Sequence, residues 1–350
     1  MRGRATRVLD ASAIAAIVSA TGVDRMYELA VERLTAVLTE HAAGTVDLRE
    51  RDGFVLESPH RGLLEWMPAV RHGSSVSLKA VGYNPHNPAK YALPTILSSI
   101  SLFDAATGHL RTVMDGTFAT ALRTGSASAI ATRLLASPDA RVLGLVGCGA
   151  QAVTQLHALA RTIDVREVLV SDIDPEAERS FARRARDAGR LVRVASLEEV
   201  EERADVLCTA TSVGVGEGPV IDGGRLKPGI HINCVGSDMP GKYELPLSTL
   251  RGSVVCPDHP AQAMREGECR QLAAEEIGPS LSDLLLAPER AKPLRSVPTV
   301  YDSTGLALQD LAMAELFSEL SQTLGVGDDV TIESSAGDPR DPYAFLETAA

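Results

Sequence analysis

The spacing of apolar and polar positions along the chain changes near residue 130. Before it, residues 11–43 suggest two helices, and short extended runs separated by turn-forming residues follow them. These runs are "GFVLES", "GLLEWMP", "SVSLKAVGY", "TILSSISLF" and "LRTVM", with turns at "NPHNP" (84–88) and "DAATGH" (104–109). The pattern predicts a mixed, largely antiparallel sheet, followed by a long helix over 117–136 that is rich in Ala, Ser and Thr.

From residue 141, near-continuous apolar strands alternate with helical stretches, which is typical of a parallel sheet covered on both faces. The predicted strands are "RVLGLVG", "REVLVSD", "RLVRVA", "ADVLCTAT", "IHINCVG", "SVVCPD" and "PTVYDS", and the predicted helices are 150–162, 175–188 and 242–250. A last helix over 305–323 precedes a polar tail, "GDDVTIESSAGDPRDPY", which predicts an irregular surface segment. We therefore expect one domain at 1–130 together with 310–350, and a second at 131–309.

Composition and charge exclude some classes of protein. The 350 residues suffice for two domains, and their 34 basic and 46 acidic side chains leave a net charge of −12, which disfavours binding to nucleic acid. The chain has five cysteines, an odd number, and its sequence has no C-x-x-C motif. We therefore expect a protein of the reducing cytoplasm, without a structural disulfide or a metal site.

The chain start, "MRGRATRVLDASAIAAIVSA", has basic residues before a small apolar run, as a signal peptide does. Asp10 interrupts this run, and either Asp10 or Ser12 would cap a helix, so we predict a helix here instead. The sequence holds no apolar run of about 18 residues and predicts no membrane span.

The segment Gly147-x-Gly149-x-x-Ala152 follows a predicted strand and opens a predicted helix, as the G-x-G-x-x-G/A turn of dinucleotide-binding proteins does. The first glycine permits a tight turn, and the second leaves room for a pyrophosphate. Asp172 ends the next strand, where a carboxylate would bind the adenosine ribose and repel a 2′-phosphate. The sequence thus predicts a Rossmann-type doubly wound α/β domain that binds NAD, beside a mixed α+β domain.

Polar residues follow the other predicted strands, and ligands of doubly wound sheets bind at these carboxyl ends. The candidates are Thr209, Thr211, Asn233, Ser237, Asp238, Lys242, Asp302, Ser303 and Thr304. Asp238 lies in a Gly-flanked loop past a buried strand, where partial removal from water would suit a carboxylate to moving protons. An aspartate that bonds its own turn backbone is the alternative.

Charged residues interrupt apolar stretches of the first region at Glu65, Lys79 and Arg123. Buried charges are costly unless they are paired or bind something. Taken singly, each is more often a surface or salt-bridge residue. Together they would suit a small zwitterionic substrate, because an arginine fork matches a carboxylate in two-point contact.

Several stretches together resemble the ornithine cyclodeaminase/μ-crystallin family over nearly the whole chain. They are "MDGTFATALRTGSASAIATRLLA", "GCGAQAVTQ", "HINCVGSDMPGKYELP", "REGECRQL" and "YDSTGLALQD". Within the family, "EWMP", "LKAVGYNPHNPAKYALPTI", "ATSVGVGEGPV" and the ending "DPY" are most similar to the lysine cyclodeaminases of secondary metabolism. The resemblance implies a homodimer whose first domain holds the substrate and forms the subunit contact.

The resemblance also implies roles for individual residues. Asp238 matches the catalytic acid/base, Glu65 an acidic residue facing the substrate amines, and Thr304 a residue lining the side-chain end of the substrate. The substrate-carboxylate ligands are matched by Arg51, Lys79 and Arg123. The NAD contacts are matched by Thr95, Arg123, Ala150, Gln151, Asp172, Thr211, Lys242 and Ser303, beside the glycine turn (Gly147, Gly149) and the strand-end residues Asn233, Val235 and Ser237. His86 and Lys90 have no assigned role.

The activity implied is the conversion of an L-α,ω-diamino acid to a cyclic imino acid with loss of ammonia and a recycled NAD hydride. Lysine to pipecolate is favoured over ornithine to proline by the resemblance alone, because a pocket distinguishes one methylene by only about 1–3 kcal/mol. The alternatives are a ketimine reductase or amino-acid dehydrogenase on the same fold, and a non-catalytic binding protein.

Overall fold

The structure is a computed structural model that describes residues 5–56, 62–185, 191–333, 338, 340–341 and 343–344. The chain forms two compact units. The first comprises Met1–Leu29, Thr45–Thr120 and Ala307–Ala350, and the second comprises Ala30–Gly44 and Ala121–Leu306. The units therefore change at 120/121 and 306/307, whereas the sequence placed the boundaries at 130 and 310, and residues 30–44 group with the second unit.

Regular elements follow one another in the order that the patterning predicts, with short additions. The strands are β1 (Thr6–Leu9), β2 (Val46–Leu48), β3 (Asp52–Leu56), β4 (Gly62–Arg71), β5 (Ser75–Tyr83), β6 (Ile96–Asp104), β7 (Leu110–Asp115), β8 (Val142–Val146), β9 (Glu167–Ser171), β10 (Val192–Val194), β11 (Val206–Thr209), β12 (His231–Cys234), β13 (Val254–Pro257), β14 (Thr299–Asp302) and β15 (Asp328–Val330). The α-helices are α1 (Ala11–Thr21), α2 (Val23–Ala42), α3 (Asn87–Tyr91), α4 (Thr117–Leu135), α5 (Ala150–Leu159), α6 (Pro175–Arg184), α7 (Leu197–Arg203), α8 (Leu247–Arg251), α9 (Pro260–Glu266), α10 (Leu281–Leu286) and α11 (Ala307–Leu324).

The first unit contains a mixed sheet in the order β15-β1-β7-β6-β5-β4-β2, with β3 also paired to β4. Its pairs are antiparallel apart from β1 with β7, as predicted. One face packs against α11, which lies on β4, β5 and β6 and buries Met67 and Ile100. The opposite face carries exposed apolar side chains at Phe54, Leu64 and Leu97, which lie in one row across β3, β4 and β6.

The second unit contains a fully parallel sheet in the order β10-β9-β8-β11-β12-β14-β13. Successive residues of β9 enter opposite cores, because Val168 and Val170 pack with Phe181 of α6 while Leu169 packs with Val200 of α7. Helices thus cover both faces, which confirms the doubly wound α/β prediction. The strand order reverses between β8 and β11, the place where such sheets bind ligands.

A local signal in the sequence, the capping residue Asp10, fixes the start of α1. Asp10 caps α1 by accepting a hydrogen bond from the backbone N–H of Ala13 at 2.8 Å, as the sequence predicts.

Among the described residues, no helix is long and apolar enough to cross a membrane.

Some predicted boundaries are wrong. The helix expected over 242–250 begins only at Leu247, because Pro246 is its N-cap and the N–H of Glu244 donates to a side chain of Glu268. Part of the tail expected to be irregular is β15, which pairs with β1, since backbone groups at the edge of a sheet bind an added strand. The strands β1 and β2 and the short helices α3, α7, α9 and α10 were not predicted. The predicted helix end at 186–188 and tail residues 334–337, 339 and 342 lie outside the described residues.

Candidate active site

The glycine turn after β8 has the backbone that its sequence requires. Gly147 has a φ of +93°, and a side chain there would meet the carbonyl oxygen of Ala210 at 2.7 Å. The turn is therefore pressed against the loop that follows β11. A side chain at Gly149, in contrast, would meet nothing within 4 Å, and Gly149 is the N-cap of the ten-residue helix α5. Open space before uncapped helical N–H groups fits the pyrophosphate of a dinucleotide.

Asp172 lies directly after β9 and is anchored to the same turn. One carboxylate oxygen accepts the N–H of Cys148 at 2.5 Å, and the other accepts the N–H of Asp174 at 2.8 Å. Because each carboxylate oxygen can accept a second hydrogen bond, Asp172 still has acceptor capacity for two ribose hydroxyls. Arg184, which the sequence analysis did not single out, donates to the carbonyl oxygen of Cys148 at 2.7 Å and supports the turn from α6.

Glu244 ties together the loops that follow β11 and β12. One of its fully buried carboxylate oxygens accepts the backbone N–H and the hydroxyl of Thr211 at 2.8 and 2.7 Å. The other accepts the hydroxyl of Thr209 at 2.6 Å and the N–H of Gly236 at 2.8 Å. The loops that carry Thr211 and Asp238 are thus fixed by one side chain, which sequence reasoning missed.

Asp258 does the same for the loop after β14. Its carboxylate accepts the N–H groups of Thr304 and Gly305, each at 2.8 Å, and the hydroxyl of Thr304 at 2.9 Å. That hydroxyl also accepts from Gln262 at 2.8 Å. The guanidinium of Arg123 lies against this loop, since a side chain at Gly305 would meet its Nη1 at 2.6 Å. Arg123 and Thr304 are therefore neighbours in the second unit.

Asp238 and Lys242 form an i,i+4 ion pair within the loop after β12. The ammonium of Lys242 lies 3.1 Å from Oδ1 of Asp238, whose side chain is 38% exposed while that of Lys242 is 4% exposed. Ser237 closes the loop by donating to the carbonyl oxygen of Lys242 at 2.8 Å. The carboxylate is therefore reachable and has a cation beside it, an arrangement that suits proton transfer.

Two other residues predicted to bind the cofactor lie near this loop. Asn233 is buried in β12 and donates to the hydroxyl of Thr132 at 2.9 Å, which joins the sheet to α4. Val235 is half-buried directly after the strand.

In the first unit, Glu65 and Lys79 point to the face of the sheet that packs against α11. Glu65 is opposite Val81, and Lys79 is opposite Met67, so the two charged residues are diagonal neighbours. Arg51 lies 3.5 Å from Glu65, and the ammonium of Lys79 lies 2.7 Å from Asp310 of α11. Two predicted carboxylate ligands, Arg51 and Lys79, thus share one region with the predicted catalytic acid Glu65. Asp310 is a partner that the sequence analysis did not identify. Its only signal was an acid within the apolar run "GLALQDLAMAEL".

The remaining predicted residues occupy more open positions. Thr95 is half-buried just before β6. His86 is the N-cap of α3 and Lys90 lies in its last turn, both on the surface. Ala150 and Gln151 form the first turn of α5, where they are exposed and half-buried, and Ser303 is buried after β14. Among the described residues, no group of three or more His, Cys, Asp or Glu side chains is arranged to hold a metal ion.

Two buried acids near these loops have strongly raised pKa values. Burial, together with the nearby charges of Asp302 and Glu244, raises the pKa of Glu268 to about 8. Burial also raises the pKa of Asp302 to about 7, aided by the charge of Asp258. The Glu268 side chain accepts the N–H of Glu244 at 2.6 Å, so its protonation state bears on the segment that holds the loops.

Comparison with known proteins gives a consistent picture. The model of the ornithine cyclodeaminase/mu-crystallin family matches residues 12–323. The chain belongs to this family. L-lysine cyclodeaminase of Streptomyces rapamycinicus is 40% identical to this family member over 341 residues, which cover 97% of this chain and 99% of the relative.

Solved structures agree. A lysine cyclodeaminase whose structure describes recognition of L-lysine, L-ornithine and L-2,4-diaminobutyric acid has a TM-score of 0.95 and 46% identity, covering 97% of this chain and 99% of its own. An archaeal alanine dehydrogenase dimer with bound NAD has a TM-score of 0.85 and 31% identity, covering 94% of this chain and 100% of its own.

Replacing Asp172 tests the dinucleotide assignment. Asp172→Ala removes the acceptors predicted to bind the ribose, and we expect NAD affinity to fall about 10- to 100-fold, since hydrogen bonds to a charged group contribute about 1.5–3 kcal/mol. Calorimetric titration with NAD and NADP measures the change. Asp174→Ala, which removes the N-cap of α6, is the control and should retain NAD affinity. Unchanged NAD affinity in Asp172→Ala would contradict the assignment.

The raised pKa of Glu268 predicts how the stability of the folded protein depends on pH. Its folded pKa lies above the ordinary value near 4.5, so it contributes stability that is complete below the unfolded pKa and is lost as pH rises through about 8. Between pH 6 and 9 we expect the Tm to fall less steeply in Glu268→Gln than in the unmodified protein. Thermal denaturation across this range measures both slopes.

The exposed Glu276 provides the control. Its pKa is lowered by hydrogen bonds from the backbone of Ala273 and from Arg251, so Glu276→Gln should leave the slope between pH 6 and 9 unchanged. Parallel curves for Glu268→Gln and the unmodified protein would contradict the role of Glu268.

Proposed function

We propose that this protein is an NAD-dependent cyclodeaminase that converts an L-α,ω-diamino acid to a cyclic imino acid and ammonia, with L-lysine to L-pipecolate as its main reaction. The observation that carries the proposal is the near-complete match to L-lysine cyclodeaminase in both sequence and structure. The same structural relative recognises L-ornithine, so ornithine is the second substrate to test.

The first unit supplies charges that suit a zwitterionic substrate. Arg51 and Lys79 would bind the α-carboxylate, and Glu65, already 3.5 Å from Arg51, would orient or balance the amines. Cations held by buried carboxylates are fixed in direction, which favours one binding orientation over many.

The second unit supplies the cofactor site. A bound NAD would supply the acceptor for the hydride of the substrate Cα and the donor that returns this hydride after ring closure. The glycine turn, the N-terminus of α5 and Asp172 would hold the dinucleotide, and the further candidate contacts of this unit are Arg123, Thr211, Lys242 and Ser303. Thr95, which belongs to the first unit, stays a predicted contact. A carboxylate at Asp172 favours NAD over NADP, because it repels a 2′-phosphate.

Asp238 is the proposed acid/base. The terminal amine must lose a proton before it can attack the oxidised Cα, and the carboxylate of Asp238 would accept that proton. Lys242, 3.1 Å away, would fix the orientation of the Asp238 carboxylate. The proton is then available for the departing ammonia, so the residue returns to its starting state.

Turnover without net redox change tests the proposal. Incubation with L-lysine or L-ornithine and a catalytic amount of NAD should give pipecolate or proline, detected by mass spectrometry, with no net change in NADH absorbance. The alternative, an amino-acid dehydrogenase or ketimine reductase, is suggested by the alanine dehydrogenase relative and would change NADH stoichiometrically. Absence of a cyclic product from every diamino acid would refute cyclodeamination.

Asp238→Asn should lower kcat by about 100-fold or more, because a positioned acid/base contributes at least that factor. NAD affinity should be retained, since the change leaves the glycine turn intact. The exposed Asp222 of the same unit provides the control variant, Asp222→Asn, which should keep full activity. Near-normal turnover in Asp238→Asn would refute the assignment of Asp238 as the acid/base.

We also propose that the protein is a homodimer and works in the reducing cytoplasm. The alanine dehydrogenase relative is a dimer, and the first sheet presents Phe54 and Leu64, 64% and 47% exposed, on its uncovered face. Apolar side chains grouped on a surface favour association. All five cysteines are free buried thiols, which suits a reducing compartment.

Leu64→Arg should shift the protein from dimer to monomer in sedimentation velocity, because the second copy would bury an unpaired charge. Val194→Arg, at an exposed position of β10 in the second unit, is the control and should leave the assembly unchanged. A monomeric unmodified protein, or a dimer unaffected by Leu64→Arg, would contradict this interface.

A further inference from the structure

The ammonium of Lys79 is buried within the first unit. Lys79 lies in the middle of β5, opposite Met67 on one side and Ile100 on the other, and its side chain is 1% exposed. An ammonium in such surroundings is stable only beside a compensating charge.

Asp310 provides that charge from α11. Its carboxylate lies 2.7 Å from the Lys79 ammonium and is equally buried, between the apolar residues Leu308 and Leu311 of the same helix. Burying an ion pair gains little stability compared with apolar side chains of similar size, because both charges lose their water. Stability alone therefore does not account for a lysine and an aspartate at these two positions.

A requirement that Lys79 be charged and held in one position does account for this buried ion pair. The ion pair with Asp310, in which the two charged atoms lie 2.7 Å apart, restricts the positions that the Lys79 ammonium can occupy. Lys79 is also a diagonal neighbour of Glu65 on the same sheet face, and Glu65 pairs with Arg51. Resting on the proposed function, we propose that Asp310 is a positioning residue that holds Lys79 charged and directed toward the α-carboxylate of the diamino acid.

A second ion pair on α11 provides a matched control. Glu315 accepts hydrogen bonds from Arg71 at 3.1 and 3.0 Å and from the hydroxyl of Ser75 at 2.6 Å. It joins the same helix to the same two strands, but it does so at the end of the β4–β5 hairpin and touches none of the proposed substrate ligands. Loss of this pair reports the structural cost of removing an α11 carboxylate.

The test is a double-mutant cycle in the full-length protein with L-lysine as substrate. Asp310→Asn should raise KM at least about tenfold, as expected for a lost interaction of a charged ligand group. NAD affinity should not change. Lys79→Met should raise KM by as much or more, and Lys79→Met/Asp310→Asn should be no worse than Lys79→Met, because Asp310 acts through Lys79. Glu315→Gln should lower the Tm and leave KM unchanged.

Other results would overturn the proposal. A wild-type KM in Asp310→Asn would do so, as would a KM in the double variant that exceeds that of Lys79→Met by the full Asp310→Asn factor. Should Asp310→Asn fail to fold, comparison of Lys79→Met with the double variant, in which no buried charge is left unpaired, still decides. The unmodified enzyme separately tests the proposed function: if it forms no cyclic product, cyclodeamination fails, whereas a failed cycle in an active enzyme refutes only the role of Asp310.

Discussion

The carboxyl edge of the parallel sheet depends on buried carboxylates that accept the backbone N–H groups of its loops. Loops at this edge leave donors without strand partners, and a buried N–H without an acceptor is costly. Glu244 satisfies the loops after β11 and β12, and Asp258 satisfies the loop after β14. Asp172 performs a similar task at the glycine turn, so positions that would bind a ligand are fixed before it arrives.

The same constraint gives the second unit its acidic interior. Burial, aided by repulsion from neighbouring carboxylates, raises the pKa of Glu268 to about 8 and that of Asp302 to about 7. The buried carboxylates that hold the loops therefore carry an electrostatic penalty. In the first unit the opposite arrangement appears, because the half-buried Arg51 and the buried Lys79 each lie beside a carboxylate. Fixed cations of this kind attract an anionic ligand group, whereas a network of carboxylates repels one.

Much of the fold could be predicted because its signals are local. Gly147 and Gly149 between a strand and a helix defined the turn, and alternation of apolar runs predicted the parallel sheet. Predictions were wrong where a distant contact decides the local structure. The segment before Leu247 is not helical, since Glu244 is engaged by Glu268, and β15 is a strand because β1 is beside it.

For the candidate site, the sequence by itself determined which chemical groups are present: a dinucleotide turn, an acid at Asp238 and charges at Glu65, Lys79 and Arg123. Only the tertiary structure decided their partners. Lys79 meets Asp310, and Glu244 of the loop after β12 meets Thr211 of the loop after β11, through contacts between residues that lie far apart in the chain. The physical reason is that a side chain's type and the period of its neighbours are written locally, whereas the charge or hydrogen bond that compensates its burial depends on how the elements pack.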